Sequence, residues 1–172
     1  QLSQAVMAGA TLRGCNLAHT QGDRMILAGA DLREATLVGM QATFAKLDKA
    51  DLTGANMQGA KLVDVSFAGA QLTQVNASGS DCTRSIFHGA TLTQAKLSHA
   101  QLAWADFSHA NLSLADLSEA DLESANLHRA KRCFHGAVLQ LRREEVAVAW
   151  RGILGRLPST RDVHRRESIG SR

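Results

Sequence analysis

The chain has 172 residues, a length that suits one domain. Tyr is absent, Pro occurs once and 45% of residues are hydrophobic, which fits a repetitive Leu/Ala core better than a conventional globule. The net charge of +3 hides an asymmetry: residues 1–130 carry 9 basic and 12 acidic side chains, residues 131–172 carry 10 and 4, and the longest apolar run, Val146 to Trp150, is too short to cross a membrane.

From Leu2 to Leu127 every fifth residue is large and apolar with few exceptions. The 26 positions hold 17 Leu, 3 Phe, 2 Met, 2 Ala, 1 Cys and 1 Gly. Two residues before them, 17 of 25 positions are Ala. A period of five fits neither a helix at 3.6 nor a strand at 2.0. Two inward sites two residues apart do fit a short extended piece. The next inward site lies three residues on, so each unit needs a corner. Ala50-Asp51-Leu52-Thr53-Gly54 and Ala120-Asp121-Leu122-Glu123-Ser124 show the unit: small inward, polar outward, large inward, then two corner residues. A chain turning the same way every five residues winds into a solenoid, where neighbouring coils bury what one coil cannot.

Phe67, Phe87 and Phe107 are the only central Phe residues, and they stand 20 apart, which predicts four units per coil. Glycine at the second corner site (9, 29, 39, 59, 69, 79 and 89) follows a beat of ten, compatible with that coil and suited to positive φ. Gly22 breaks the pattern at a central site and interrupts the regularity of Thr20 to Ile26, but the phase of five survives it, so no residue is inserted. Ala77 and Cys82 are small central residues near the Phe column, where they leave room for it. Cys15 and Cys82 occupy inward sites, and with Cys133 they lack any disulfide or metal-binding spacing, so buried free thiols in a reducing compartment are expected.

Ala30-Asp31-Leu32, Ala50-Asp51-Leu52, Ala110-Asn111-Leu112, Ala115-Asp116-Leu117, Ala120-Asp121-Leu122 and Ala125-Asn126-Leu127 resemble the units of the pentapeptide repeat family over about three quarters of the chain, Gln1 to Ala130. The resemblance implies an all-β solenoid, a right-handed four-sided β-helix, here of about 6.5 coils of 20 residues. It also implies a bacterial setting, since such domains occur attached to larger proteins, secretion-system adaptors and effectors among them. Gln1 stands in repeat phase without a Met, so a preceding segment is expected. A cytoplasmic location is expected, with secretion as an effector the alternative.

The repeat ends near Ala130. Val138 to Leu157 follows a helical rhythm through Leu139, Val146, Trp150, Ile153 and Leu157, and Pro158 stops it. Residues 131–158 are therefore expected to form a capping α-helix over the last coil, with Trp150 as its anchor. The same helix is a candidate homodimer contact. Residues 159–172 form a basic, polar tail. Leu97 to His128 contains no Lys or Arg and five acids, so the last coil is acidic beside that basic segment.

The outward column at the second corner, Arg24, Phe44, Asp64, Arg84 and Trp104, is the bulkiest on the surface. Exposed aromatics beside arginine are typical of protein-binding patches, so this column is the expected partner-binding site. His88, His109 and His128 approach one corner on successive coils, within about 6–8 Å. No Cys or carboxylate completes a metal site with them, and Cys133-x-His135 is weaker still, so no metal is expected. The glycines are corner residues rather than a phosphate loop, Ser and Asp recur by repeat rule, and a filled interior offers no cleft. The chain is expected to be non-catalytic and to need no cofactor.

The sequence thus predicts a scaffold or adaptor that binds a protein partner and no membrane. The family resemblance supplies an alternative, a dimeric DNA mimic that protects or regulates DNA gyrase or topoisomerase. The net −3 of the repeats, interrupted by lysines at 46, 49, 61 and 96, argues against the extended acidic stripe such a mimic needs. Nucleic-acid binding by the basic tail ranks last, since no aromatic residues interleave its charges.

Overall fold

A computed structural model of the chain describes residues 1–131. The expected helix with Val146, Trp150, Ile153 and Leu157, its capping or dimer role, and the tail lie outside the described residues.

Within 1–131 the chain is a β-helical solenoid. Single-residue parallel bridges join Val6 to Ile26, Thr11 to Asp31, Asn16 to Thr36 and Gln21 to Gln41, and the four series run on to Asn126, Lys131, Asp116 and Asp121. Every bridge spans 20 residues, so four units make one coil and the bridged residues define four faces. The bridged residue is the polar one between the two inward sites. Its amide donates to the previous coil, as Asp31 does to Ala10 at 2.9 Å, and its carbonyl accepts from the central residue of that coil, as from Leu12 at 2.7 Å. Corners close with a bond from the small residue's amide to the preceding central carbonyl, as in Ala60 to Met57 (3.1 Å) and Ala70 to Phe67 (3.0 Å). Coil and corner together satisfy the backbone that a lone five-residue unit would leave bare.

The recurring Asp or Asn of the unit has a local task. Its side-chain oxygen accepts the amide two residues on, at the first corner position: Thr53 to Asp51 (3.0 Å), Ser108 to Asp106 (2.9 Å), Ser118 to Asp116 (3.0 Å) and His128 to Asn126 (3.1 Å). This Asx bond fixes the entry to the corner, which explains why the short Asp and Asn side chains favour that site.

Each second corner residue, from Gln4 to Arg129, has positive φ, as the third position of a type II turn requires. The glycine beat of ten is not itself a structural period. Gly14 and Gly54 fill the same corner site off that beat, and most corners use other residues, Phe44 (56°) and Trp104 (63°) among them.

The core is a set of vertical columns. Phe67 and Phe87 stack at 5.0 Å with planes 7° apart, and Phe87 and Phe107 at 4.7 Å and 3°. Ala77 and Cys82 are buried on other walls. The phase runs unbroken through Gly22, as expected, and the coil is regular there: Gln21 bridges Gln41 and the Gly22 amide reaches the Gln41 carbonyl at 2.8 Å. The cause is an exchange of sizes. A Cβ on Gly22 would lie 2.7 Å from Met25 Sδ and 3.0 Å from Met40 Cε, so two methionines at normally small sites fill the space of the missing leucine.

Buried serines at two small sites are satisfied by backbone. Ser80 donates to the Ala77 carbonyl at 2.7 Å. Ser85 donates to the Leu62 carbonyl (2.6 Å) and accepts the Val65 amide (3.1 Å), so its oxygen sits between the two groups that close other corners directly. Cys82 is buried as expected, and burial pushes its thiol up to about 12. Cys15 is only partly buried, contrary to expectation, because it belongs to the first coil, where Met7, Leu12 and Leu17 are also partly open.

Candidate functional site

The bulky corner column is assembled as one row. Each member's amide bonds to the corner of the following coil: Arg24 to Thr43 (2.8 Å), Phe44 to Val63 (3.1 Å), Asp64 to Thr83 (3.1 Å), Arg84 to Ala103 (2.9 Å) and Trp104 to Glu123 (2.8 Å). The coil spacing of about 4.8 Å therefore sets the rise along the row. Positive φ at each member throws the side chain outward from the corner. Phe44 is 56% exposed and Trp104 63%, the largest aromatic surfaces the described residues offer to solvent.

The charged members are ordered by their neighbours. Arg24 Cζ lies 6.0 Å from the Phe44 ring centroid, within reach of a cation–π contact. Arg84 grips Asp64 with two parallel bonds, Nε to Oδ1 at 2.8 Å and Nη2 to Oδ2 at 2.6 Å. These bonds hold the Asp64 carboxyl below its usual range and raise the Arg84 guanidinium. Beside the row, Asp23 accepts both the Thr43 hydroxyl (2.7 Å) and the Thr43 amide (2.9 Å), which lowers its carboxyl as well. Ile86, 43% exposed and two residues from Arg84, adds an apolar flank that the five-residue pattern did not single out. It occupies a bridged outward site, where the repeat usually places a polar residue.

The three histidines also come together. His88 and His109 have ring centroids 5.4 Å apart, His109 and His128 6.0 Å, and His88 Nδ1 lies 2.8 Å from Ser108 Oγ. Among the described residues no group of three or more His, Cys, Asp or Glu is arranged to hold a metal ion. No helix among them is long and apolar enough to cross a membrane.

The surface acids are largely tied to cations or hydroxyls. Arg33 binds Asp31 through Nε (2.8 Å) and Nη2 (2.6 Å) and lies 3.7 Å from Asp51, and Arg13 pairs with Glu34 at 2.8 Å. Ser66 donates to Asp48. Asp106, Asp116, Glu119, Asp121 and Glu123 fall instead in the stretch from Leu97 to His128, which has no Lys or Arg.

The family model for pentapeptide repeats matches residues 26–65, 66–102 and 100–131. Among solved structures, a pentapeptide repeat protein from the Arabidopsis thaliana thylakoid lumen is 29% identical over 64% of this chain and 80% of its own, with a TM-score of 0.45. The pentapeptide repeat protein Rfr23 from the cyanobacterium Cyanothece 51142 is 18% identical over 74% of this chain and 91% of its own (TM-score 0.36). QnrB1, a plasmid-mediated fluoroquinolone resistance protein, is 15% identical in a trypsin-treated variant over 87% of this chain and 86% of its own (TM-score 0.43). No curated protein matches the sequence. With its five-residue units, its 20-residue coils and a family match spanning 26–131, the chain belongs to the pentapeptide repeat family.

Proposed function

We propose that this chain is a non-catalytic scaffold or adaptor module whose partner-binding surface is the row Arg24, Phe44, Asp64, Arg84 and Trp104. One observation carries this reading: Phe44 and Trp104 stand more than half exposed on a rigid corner, in line with two arginines. Aromatic and arginine anchors supply most of the binding energy at protein interfaces. A backbone locked by the coil-to-coil bonds presents them with little ordering cost. The same reading takes residues 1–130 as about 6.5 coils, 131–158 as a helical cap and 159–172 as a basic tail. A role as DNA mimic at gyrase has less support, since Asp31, Asp51, Asp64 and Glu34 each have an arginine within 4 Å and the acidic stretch free of Lys and Arg is confined to Leu97–His128.

The test is affinity capture with the wild type and a Phe44→Ala/Trp104→Ala double variant. Both side chains point to solvent, so the variant folds. Loss of partner recovery supports the reading, and equal recovery from both removes the row as the site.

A further inference from the structure

Resting on the reading of the corner row as a protein-binding surface, we propose that this row pairs with the same row of a second copy of the chain, antiparallel, about a two-fold axis at the height of Asp64. The order of the residues points there. Read upward the row is Arg24, Phe44, Asp64, Arg84, Trp104, one residue per coil. Read against its own reverse, Arg24 faces Trp104, Phe44 faces Arg84, and Asp64 faces itself. Both aromatics of each copy then meet a guanidinium of the other, giving four intermolecular cation–π contacts.

At the centre Asp64 meets Asp64, and its charge is offset within each copy. Asp64 is held by its own Arg84 through two bonds, so each copy brings an ion pair rather than a bare carboxylate. The two-fold axis sets the Arg84 of one copy one coil, about 4.8 Å, from the height of the other copy's Asp64. A parallel pairing places Arg24 on Arg24, Asp64 on Asp64 and Arg84 on Arg84, three like-charge registers where the antiparallel pairing has one, and like charges in register are penalised. The row order therefore selects both the partner and its direction. An isologous contact of this kind closes on itself and forms no filament. Five residues over about 19 Å make a narrow contact, so the dimer belongs to the weak class that buries under about 1,200 Å².

Two measurements on the full chain test this. Sedimentation equilibrium up to about 1 mM is expected to show the wild type passing from one to two chain masses, while Phe44→Ala/Trp104→Ala stays at one. The register is read by cross-linking with a short bis-maleimide in a Cys15→Ser/Cys133→Ser background. Val63→Cys lies beside the axis and links to itself. Ala103→Cys lies two coils from it, so its two copies stand about 19 Å apart in height and do not link. A wild type that stays at one mass throughout overturns the proposal. So does a dimer in which Ala103→Cys links as readily as Val63→Cys, which reports a parallel contact, or one in which neither links, which reports a contact elsewhere. A monomeric wild type whose captured partner is lost in the double variant removes self-pairing and keeps the protein-binding reading. A Val63→Cys dimer with unchanged partner capture does the opposite.

Discussion

Phe87 lies 4.7 Å from Phe107 with their ring planes 3° apart, and the two residues are 20 apart in sequence. Stacking this close holds only if both rings descend the same wall on consecutive coils. Phe67 adds a third ring at 5.0 Å, so Phe87 has an aromatic face on either side. Phe87→Ala leaves a cavity between two rings in a fully buried column and is expected to cost about 3–5 kcal/mol. Phe87→Leu restores the residue that Leu47 and Leu127 supply in the same column and is expected to cost about 1–2 kcal/mol. Urea unfolding followed by circular dichroism measures both, and equal losses would place Phe87 outside the stack.

The Gly22 site inverts the usual logic of consensus design. Gly22→Leu restores the family pattern, yet a leucine there meets Met25 and Met40 and is expected to destabilise by about 1–3 kcal/mol through overpacking. Adding Met25→Ala and Met40→Ala returns three sites to the common pattern and is expected to recover most of that loss. Thermal melts of the single and triple variants check this. A stabilised single variant would mean the methionines do not fill the space.

The corners carry backbone strain that can be isolated. Gly59 has φ of 61°, and a Cβ built on it touches nothing within 4 Å. Gly59→Ala therefore acts through the left-handed backbone alone, with an expected loss of about 1 kcal/mol. The same unfolding experiment reads it, and a neutral result would mean that the corner relaxes to negative φ.

How much of this was legible follows from which relations are linear in sequence. The Phe column and the Arg24–Trp104 row needed only the 20-residue coil, which the spacing of Phe67, Phe87 and Phe107 supplies. The Gly22 exchange was hidden because residues 22, 25 and 40 meet only once corners and coils are stacked. Ser85 looks like a small stand-in for alanine; its bonds to Leu62 and Val65 cross to the previous coil and leave no trace in the pattern. The Asp and Asn sites were visible as a repeat, but their bond to the corner amide was not read from it.

Acid sensitivity follows from the carboxylates. Bonds from Arg33 bring the Asp31 carboxyl down from 3.8 to about 2. A carboxyl depressed on folding contributes stability that is present above the unfolded value and lost as pH falls through the folded one. For Asp31 the window runs from 3.8 down to about 2, and Asp23, Asp64 and Asp116 are shifted in the same direction. Denaturation at pH values on either side of that window is expected to show lower stability in acid, and Arg33→Gln is expected to shrink the difference. An unchanged difference in Arg33→Gln would remove this pair as a contributor.

The winding itself is open to direct measurement. Selective labelling of phenylalanine rings and nuclear Overhauser spectroscopy report which rings lie within about 5–6 Å, the range of stacked aromatic pairs. A coil of 20 residues predicts cross-peaks between Phe67 and Phe87 and between Phe87 and Phe107, with none between Phe67 and Phe107. Absence of both neighbouring cross-peaks, or a direct Phe67 to Phe107 contact, would contradict the four-sided coil and remove the corner row with it.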